Sequence, residues 1–140
     1  MHQTLDDLRK NLLSIPDAPG VYRIYWKDGQ SPRFQRKTGG LRNDPATNES
    51  LTEKWIVGER LVYIGMASIS LRQRIRQLLR YGLSLVDNHR GGRYLWQIEG
   101  IWENAMLEFE TCRNPKKEES EMLQKFFDGH GRLPYANLRF

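Results

Sequence analysis

Residues 61–80 read LVYIGMASISLRQRIRQLLR, and this stretch decides most of the expected architecture. Its first five residues are apolar, aromatic or glycine, which predicts a buried β-strand. After a short serine-containing turn, apolar residues recur at helical spacing and predict one buried helix face, formed by Leu71, Ile75, Leu78 and Leu79. The other faces of this helix carry arginines. The stretch therefore predicts a strand followed by a basic amphipathic helix.

A second strand is predicted upstream of this one. Residues 20–26 read GVYRIYW, rich in β-branched and aromatic types, and Asp28-Gly29 gives a turn signal after them. Residues 30–59 hold prolines, paired glycines and many polar side chains, which indicate a long inserted loop with at most a short ribbon at 34–37. We therefore expect two neighbouring antiparallel strands separated by this insertion.

The rest of the chain supplies three further elements. A helix is predicted after the N-cap candidate Thr4 and before Pro16, with leucines at helical spacing at Leu5, Leu8, Leu12 and Leu13. Residues 107–112 alternate like a strand, residues 117–127 predict a helix, and residues 94–98 fit either a helix start or a buried segment. The predicted fold is one domain over residues 1–140, of the α/β (α+β) class, in which helices flank a small three-stranded antiparallel sheet.

The excess of basic residues is concentrated in the middle of the chain. The whole sequence has a net charge of +5, whereas residues 23–93 hold fourteen basic and six acidic side chains, a net charge of +8. A basic segment of this kind favours DNA, or RNA, as a partner, although ordinary solvated surface charge also accounts for the excess. The arginines that we expect to contact DNA are Arg33, Arg36, Arg42, Arg72, Arg76, Arg90 and Arg93.

Several other classes of protein are disfavoured. No stretch approaches the ~20 apolar residues of a spanning helix, and the first residues do not resemble a signal peptide, so we expect a soluble cytoplasmic protein without a membrane partner. One cysteine, Cys112, and three scattered histidines predict neither a disulfide nor a zinc cluster. The glycine-rich motifs for phosphates and dinucleotides are absent, so no small-molecule cofactor is expected.

Five short motifs occur in a fixed order along the predicted elements. They are Gly20-Val21-Tyr22, Tyr63-Ile64-Gly65, Leu71-Arg72-Gln73-Arg74, Glu119 near the start of the last helix, and Pro134 followed by Asn137. In this order the chain resembles the GIY-YIG nuclease superfamily over residues 19–137. Within that superfamily it is similar to the N-terminal nuclease domain of the bacterial excision-repair endonuclease.

The resemblance implies a divalent-metal-dependent DNA endonuclease that hydrolyses phosphodiester bonds. Such hydrolysis needs a positioned water, a group that takes its proton, and positive charge on the phosphoryl oxygens. The resemblance assigns Glu119 to a Mg²⁺ or Mn²⁺ ion, and Tyr22, helped by Tyr63, to orienting or deprotonating the water. It assigns Arg74 to the scissile phosphate and Asn137 to hydrogen bonds that hold the site together.

The same residues also have structural interpretations. Tyr22 and Tyr63 fit half-buried aromatics of a sheet, which is the usual role of Tyr there. Glu119 has acidic neighbours, and Glu118 or Glu121 remains an alternative metal ligand.

Three departures from the superfamily pattern bear on catalysis. The insertion between the two tripeptides is long, Met66 stands where Lys is common, and Leu78 stands where the superfamily usually has His or Tyr. Tyr81 and His89 are the candidates to replace that missing group. The rival functions are therefore a catalytically impaired nucleic-acid-binding domain of the same fold, and a basic RNA- or protein-interaction domain that uses the insertion.

Overall fold

A computed structural model of the chain describes residues 3–36, 45–85 and 90–140. The strands are β1 (Gln3–Thr4), β2 (Gly20–Trp26), β3 (Leu61–Ala67) and β4 (Ala105–Thr111). The α-helices are α1 (Leu5–Lys10), α2 (Asn48–Lys54), α3 (Leu71–Gly82), α4 (Ile101–Asn104) and α5 (Pro115–His130), and Leu12–Ser14 and Arg90–Gln97 form 3₁₀ segments. The fold is of the predicted α+β class.

The strands form one antiparallel sheet in the order β1-β4-β2-β3. The predicted antiparallel pairing of β2 with β3 is confirmed, and it places Tyr22 opposite Gly65. The prediction of three strands is wrong, because β1 adds a fourth strand at the edge of β4. Two residues are too few to produce a periodic pattern, so the sequence carries no signal for this strand.

The central strand β2 is buried because both of its edges are paired and helices pack on the sheet. Its side chains Tyr22, Ile24 and Trp26 belong to the main hydrophobic core, together with the predicted apolar face of α3. The helix α5 packs against β3 and β2. The elements that carry the predicted site residues therefore meet around the β2–β3 pair.

The insertion at 30–59 is more structured than the sequence predicts. Thr47 caps α2, because its side chain accepts a hydrogen bond from the Ser50 N–H at 3.2 Å, and this helix buries Leu51 completely. Phe34 makes an isolated bridge with Ile98, which falls at the start of the predicted ribbon. The prediction that the whole insertion is a loop is therefore wrong for 48–54.

The buried Gln97 amide connects the core to the insertion on both sides of residues 37–44. Its Oε1 accepts from the Ala46 N–H at 2.9 Å, and its Nε2 donates to the carbonyls of Gln35 and Ala46 at 3.1 and 3.0 Å. Losing any of these three hydrogen bonds would leave a buried polar group unpaired. The Gln97 amide therefore holds both Gln35 and Ala46 in place. Residues 37–44, which include Arg42, lie outside the described residues.

The remaining elements follow the predicted order with shifted ends. The N-cap Thr4 is confirmed, but α1 ends at Lys10 and the side chain of Leu13 is 80% exposed, so the single longer helix predicted before Pro16 is wrong. Residues 94–97 belong to the second 3₁₀ segment and Ile98 follows it directly. The side chains of Leu95, Trp96 and Ile98 are buried. Over the three described ranges, no helix has the length and apolar character needed to cross a membrane.

Candidate functional site

Two tyrosines lie together at the centre of the β2–β3 pair. Tyr22 is opposite Gly65, and Tyr63 is opposite Ile24, so the two tyrosines are diagonal neighbours on one face of the sheet. Their ring centroids are 6.1 Å apart, and both side chains are buried, with Tyr22 1% and Tyr63 7% exposed. The strand register therefore brings together the tyrosines of both tripeptides.

Both phenols are protonated at neutral pH in this setting. Burial raises the pKa of Tyr22 well above its ordinary value, and the neighbouring Tyr63 raises it further. Burial also raises the pKa of Tyr63 to about 12, while the Arg74 charge opposes that rise. A hydrogen bond joins the two hydroxyls and favours a proton on Tyr22. The pair can therefore donate and accept hydrogen bonds without carrying charge.

Gly65 is required where it stands because the ring of Tyr22 lies directly over its backbone. A Cβ atom at this position would overlap the Tyr22 ring and lie 2.5 Å from its hydroxyl oxygen. No such contact is possible without moving Tyr22 or the strand. The Tyr-Ile-Gly glycine therefore makes room for the tyrosine of the other tripeptide.

We expect Gly65→Ala to destabilise the fold by about 1–3 kcal/mol, the usual cost of overpacking a core, and to displace Tyr22 from the site. Chemical denaturation measures the free energy of unfolding of both proteins. Gly129→Ala is the matched control: it lies in α5, nothing lies within 4 Å of an added Cβ, and alanine should stabilise the helix slightly. Equal stability of Gly65→Ala and wild type would contradict this packing argument.

An open cleft of about 380 Å³ lies against the tyrosine pair, and four of the predicted site residues line it: Tyr22, Tyr63, Arg74 and Glu119. Arg74 comes from α3, which begins at the N-cap Ser70. Its Nη1 donates to the Gln77 Oε1 at 3.1 Å, one helical turn further on. This hydrogen bond holds the half-buried guanidinium in place beside the cleft.

Glu119 lies in the second turn of α5 and is half-buried. Burial raises the pKa of its carboxyl, and the charges of Lys116 and Arg74 oppose that rise. Within 3–36, 45–85 and 90–140, its carboxylate makes no hydrogen bond or ion pair. By contrast, Glu118 and Glu121 are exposed and line neither this cleft nor the one described next. Of the three glutamates left open by the sequence, the geometry places Glu119 in the cleft.

A second cleft of about 540 Å³ adjoins the first, and Tyr63 and Glu119 line both. Three basic residues line this second cleft, namely Arg93, Lys116 and Arg139. Gly91 also lines it, and a Cβ there would be 3.7 Å from the Tyr63 hydroxyl, so this backbone passes close to the tyrosine. Glu119 and Tyr63 therefore lie at the junction of two clefts.

Asn137 closes the open edge of β3. Its Oδ1 accepts from the Ile64 N–H and its Nδ2 donates to the Ile64 carbonyl, both at 2.9 Å. The Ala136 N–H donates in turn to the Val62 carbonyl at 2.8 Å. The side-chain amide thus satisfies backbone groups of an edge strand beside Tyr63, and the resemblance predicts hydrogen bonds of Asn137 that hold the site together.

The helix α3 divides its arginines between two surfaces. At 3.6 residues per turn, Arg72 and Arg76 each lie about 200° around the helix from Arg74. They line a separate groove with Arg9 of α1, and the Nε of Arg72 donates to the Ile15 carbonyl at 2.8 Å. The structure therefore does not bring Arg72 and Arg76 to the candidate site.

The other arginines expected to contact DNA are also distributed. Arg93 lines the second cleft, whereas Arg33 lines a third cleft with Trp26 and Glu99. Arg36 is exposed. Arg42 lies outside the described residues, and of Arg90 only the backbone, at the start of a 3₁₀ segment, is described.

Two positions at which the chain departs from the superfamily pattern, 66 and 78, lie in different surroundings. Met66 lines the first cleft, whereas Leu78 is fully buried in the core. Tyr81 is also buried and lines neither cleft, so it does not replace a polar group there. His89 lies outside the described residues.

The polar residues of the two clefts that sequence reasoning missed include Gln77, Lys116 and Arg139. Gln77 was detectable, because a residue three positions after Arg74 on a helix is its neighbour. Lys116 was detectable in the same way, three positions before Glu119. Arg139 was not, because only the tertiary fold brings the chain after Asn137 beside α5.

Comparison with known proteins adds nothing to this description: no family model, no curated protein and no solved structure matches the chain. The interpretation of the site therefore depends on its own residues.

Proposed function

We propose that the protein is a divalent-metal-dependent endonuclease that hydrolyses phosphodiester bonds of DNA. The observation that carries this proposal is the convergence of four separate motifs on one open cleft, where two buried tyrosines, one guanidinium and one half-buried carboxylate lie together. Two strands and two helices contribute these groups. A cytoplasmic location belongs to the same proposal.

The donor set at the cleft fits a hard divalent cation. Glu119 offers one carboxylate, and among the described residues no group of three His, Cys, Asp or Glu side chains could enclose a metal ion. Mg²⁺ is commonly held by one or two carboxylates while it keeps several waters, so a single glutamate suits Mg²⁺ or Mn²⁺ better than zinc. When bound, such an ion would neutralise charge that develops on the phosphate and the leaving oxygen.

The protein's own groups would position the substrate and the attacking water. Arg74 supplies a planar guanidinium, held by Gln77, that can donate two hydrogen bonds to a phosphate. The hydroxyls of Tyr22 and Tyr63 can orient a water, and their raised pKa values mean that they do so as neutral phenols in the resting protein. Positioning by hydrogen bonds is thus the role that we assign to the tyrosine pair.

Plasmid relaxation tests the proposal directly. Purified protein should convert supercoiled plasmid to nicked circles and then to linear DNA with Mg²⁺ or Mn²⁺, and should not do so with EDTA. DNA binding without any metal-dependent nicking would instead favour the catalytically impaired nucleic-acid-binding domain. The specific observation for that second candidate is Leu78, an apolar and fully buried side chain at the position where the superfamily usually has His or Tyr.

The basic residues of the second cleft should contribute more to DNA affinity than the arginines of the insertion. Changing Arg93, Lys116 and Arg139 together to Gln should lower the slope of log Kd against log salt concentration, by about 0.9 for each phosphate that the protein no longer neutralises. Fluorescence anisotropy with a labelled duplex over a range of salt concentrations measures this slope. The comparison variant, with Arg33 and Arg36 changed to Gln, should alter the slope less, because Arg33 lines a different cleft. A larger change of slope in the Arg33 and Arg36 variant would instead indicate that DNA contacts the insertion.

A further inference from the structure

The second cleft continues along one stripe of α5 away from the candidate site. Lys116, Glu119, Leu123 and Phe127 are spaced three or four residues apart, so they follow one another along one side of the helix. Lys116, Glu119 and Leu123 line the second cleft. A ligand strand that leaves Glu119 through this cleft would therefore follow the helix toward Phe127.

An exposed pair of aromatic rings lies at the far end of this stripe. Phe127 and Phe140 have ring centroids 5.3 Å apart and planes inclined at 58°. Their exposed fractions are 37% and 56%, and Phe140 also lines the second cleft. Contiguous apolar surface rimmed by polar residues marks interaction sites, and these two rings lie in contact with each other beside a basic cleft.

The charge of the second cleft indicates what would approach these rings. Arg93, Lys116 and Arg139 bring three positive charges to a cleft whose acidic lining residue is Glu119. Proteins that bind single-stranded nucleic acid combine a positive groove along the backbone with aromatic rings on which bases stack. The second cleft has both of these features within the described part of the chain.

The distance between Glu119 and the rings indicates how many nucleotides would separate the cleaved phosphate from the stacked base, and the stacking itself indicates which form of DNA could bind. Phe127 follows Glu119 by eight residues, which is about 12 Å along a helix. This distance corresponds to about three to four nucleotides at the rise of a B-form strand, and to fewer in an extended strand. Inside a paired duplex both faces of each base are covered by its neighbours, so a base within a strand can lie on these rings only where that strand is unpaired.

We propose that Phe127 and Phe140 form a stacking site for an unpaired base, and that the substrate is DNA with a single-stranded segment beside the cleaved phosphate. This inference rests on the proposed nuclease function for the position of the cleaved phosphate. The binding of an unpaired strand in the second cleft follows from the cleft itself. The two can therefore be tested separately.

The binding experiment uses short single-stranded DNA with 2-aminopurine at one internal position, in EDTA so that no cleavage occurs. Wild type should quench the fluorescence of the base by stacking. The double change Phe127→Ala with Phe140→Ala should remove the quenching and weaken binding about tenfold, in line with one stacked base. The double change to Tyr keeps both rings and should keep the quenching. Leu13→Ala, which removes an exposed apolar side chain from another surface, is the control.

The cleavage experiment separates failure of the two proposals. With Mg²⁺, wild type should cut a branched substrate carrying a single-stranded arm faster than a fully paired duplex, and the double alanine variant should cut both at similar rates. Absence of cleavage on every substrate, with quenching retained, would overturn the nuclease proposal alone. Unchanged quenching and an unchanged preference in the double alanine variant would overturn the stacking site alone. Melting temperatures establish that the variants are folded.

Discussion

Replacing Glu119 with Gln should reduce plasmid nicking in saturating Mg²⁺ by about a hundredfold or more, because the cleft loses the carboxylate that its described lining residues offer to the cation. The change keeps the volume and planar shape of the side chain. It breaks no ion pair within the described residues, so the protein should stay folded. Single-turnover cleavage of supercoiled plasmid measures the loss, and thermal unfolding establishes that the fold is retained.

The neighbouring glutamates provide matched controls for this prediction. Glu118→Gln and Glu121→Gln each remove one negative charge from the same helix, but from exposed positions outside both clefts. They should leave nicking close to the wild-type rate. If Glu118→Gln abolished nicking and Glu119→Gln did not, the assignment of the metal ligand would be wrong. Restoration of Glu119→Gln activity by high Mn²⁺ would support a role in metal binding.

The parts of the fold that could be predicted are those in which a long element has one buried face. The strand β2 and the helix α3 appear where the apolar pattern places them, because burial of one face against the sheet imposes the period that the sequence shows. The antiparallel pairing of β2 with β3 was predicted because the two strands are neighbours along the chain, with the insertion between them. These elements position Tyr22, Tyr63 and Arg74.

The elements that were missed are short or mostly polar. The helix α2 reads NESLTEK and buries Leu51 alone, so its pattern is dominated by solvent-facing residues. The local signals were the N-cap Thr47 and the spacing of Leu51 and Trp55, four residues apart and both buried. The short strand β1 is held by pairing with β4, and nothing within two residues can reveal such a partner.

The candidate site was only partly predictable for a related reason. The division of the α3 arginines into two surfaces follows from helix geometry alone, since Arg72 and Arg74 differ by two residues. The meeting of two clefts at Glu119 does not, because it depends on how the end of the chain returns beside α5. The hydrogen bonds of Asn137 to Ile64 fix that return, and they join residues 73 positions apart.

Replacing Arg74 with Ala should slow cleavage by about 10²–10³-fold, the usual loss when one donor to the developing charge of a transition state is removed. DNA affinity should change little, because the three basic residues of the second cleft stay in place. Single-turnover rates and anisotropy titrations separate the two quantities. Gln77→Leu should produce a smaller loss of rate in the same direction, because it removes the acceptor that holds the guanidinium while leaving the charge.

Arg76→Ala gives the most direct comparison, since it removes an identical side chain from the same helix. Arg76 lies on the opposite side of α3, in the groove shared with Arg9, so its loss should leave the cleavage rate near that of wild type. Equal losses from Arg74→Ala and Arg76→Ala would indicate that the arginines of α3 act through their summed charge. A loss confined to Arg74 requires a specific contact at the cleft, because summed charge would be reduced equally by either change.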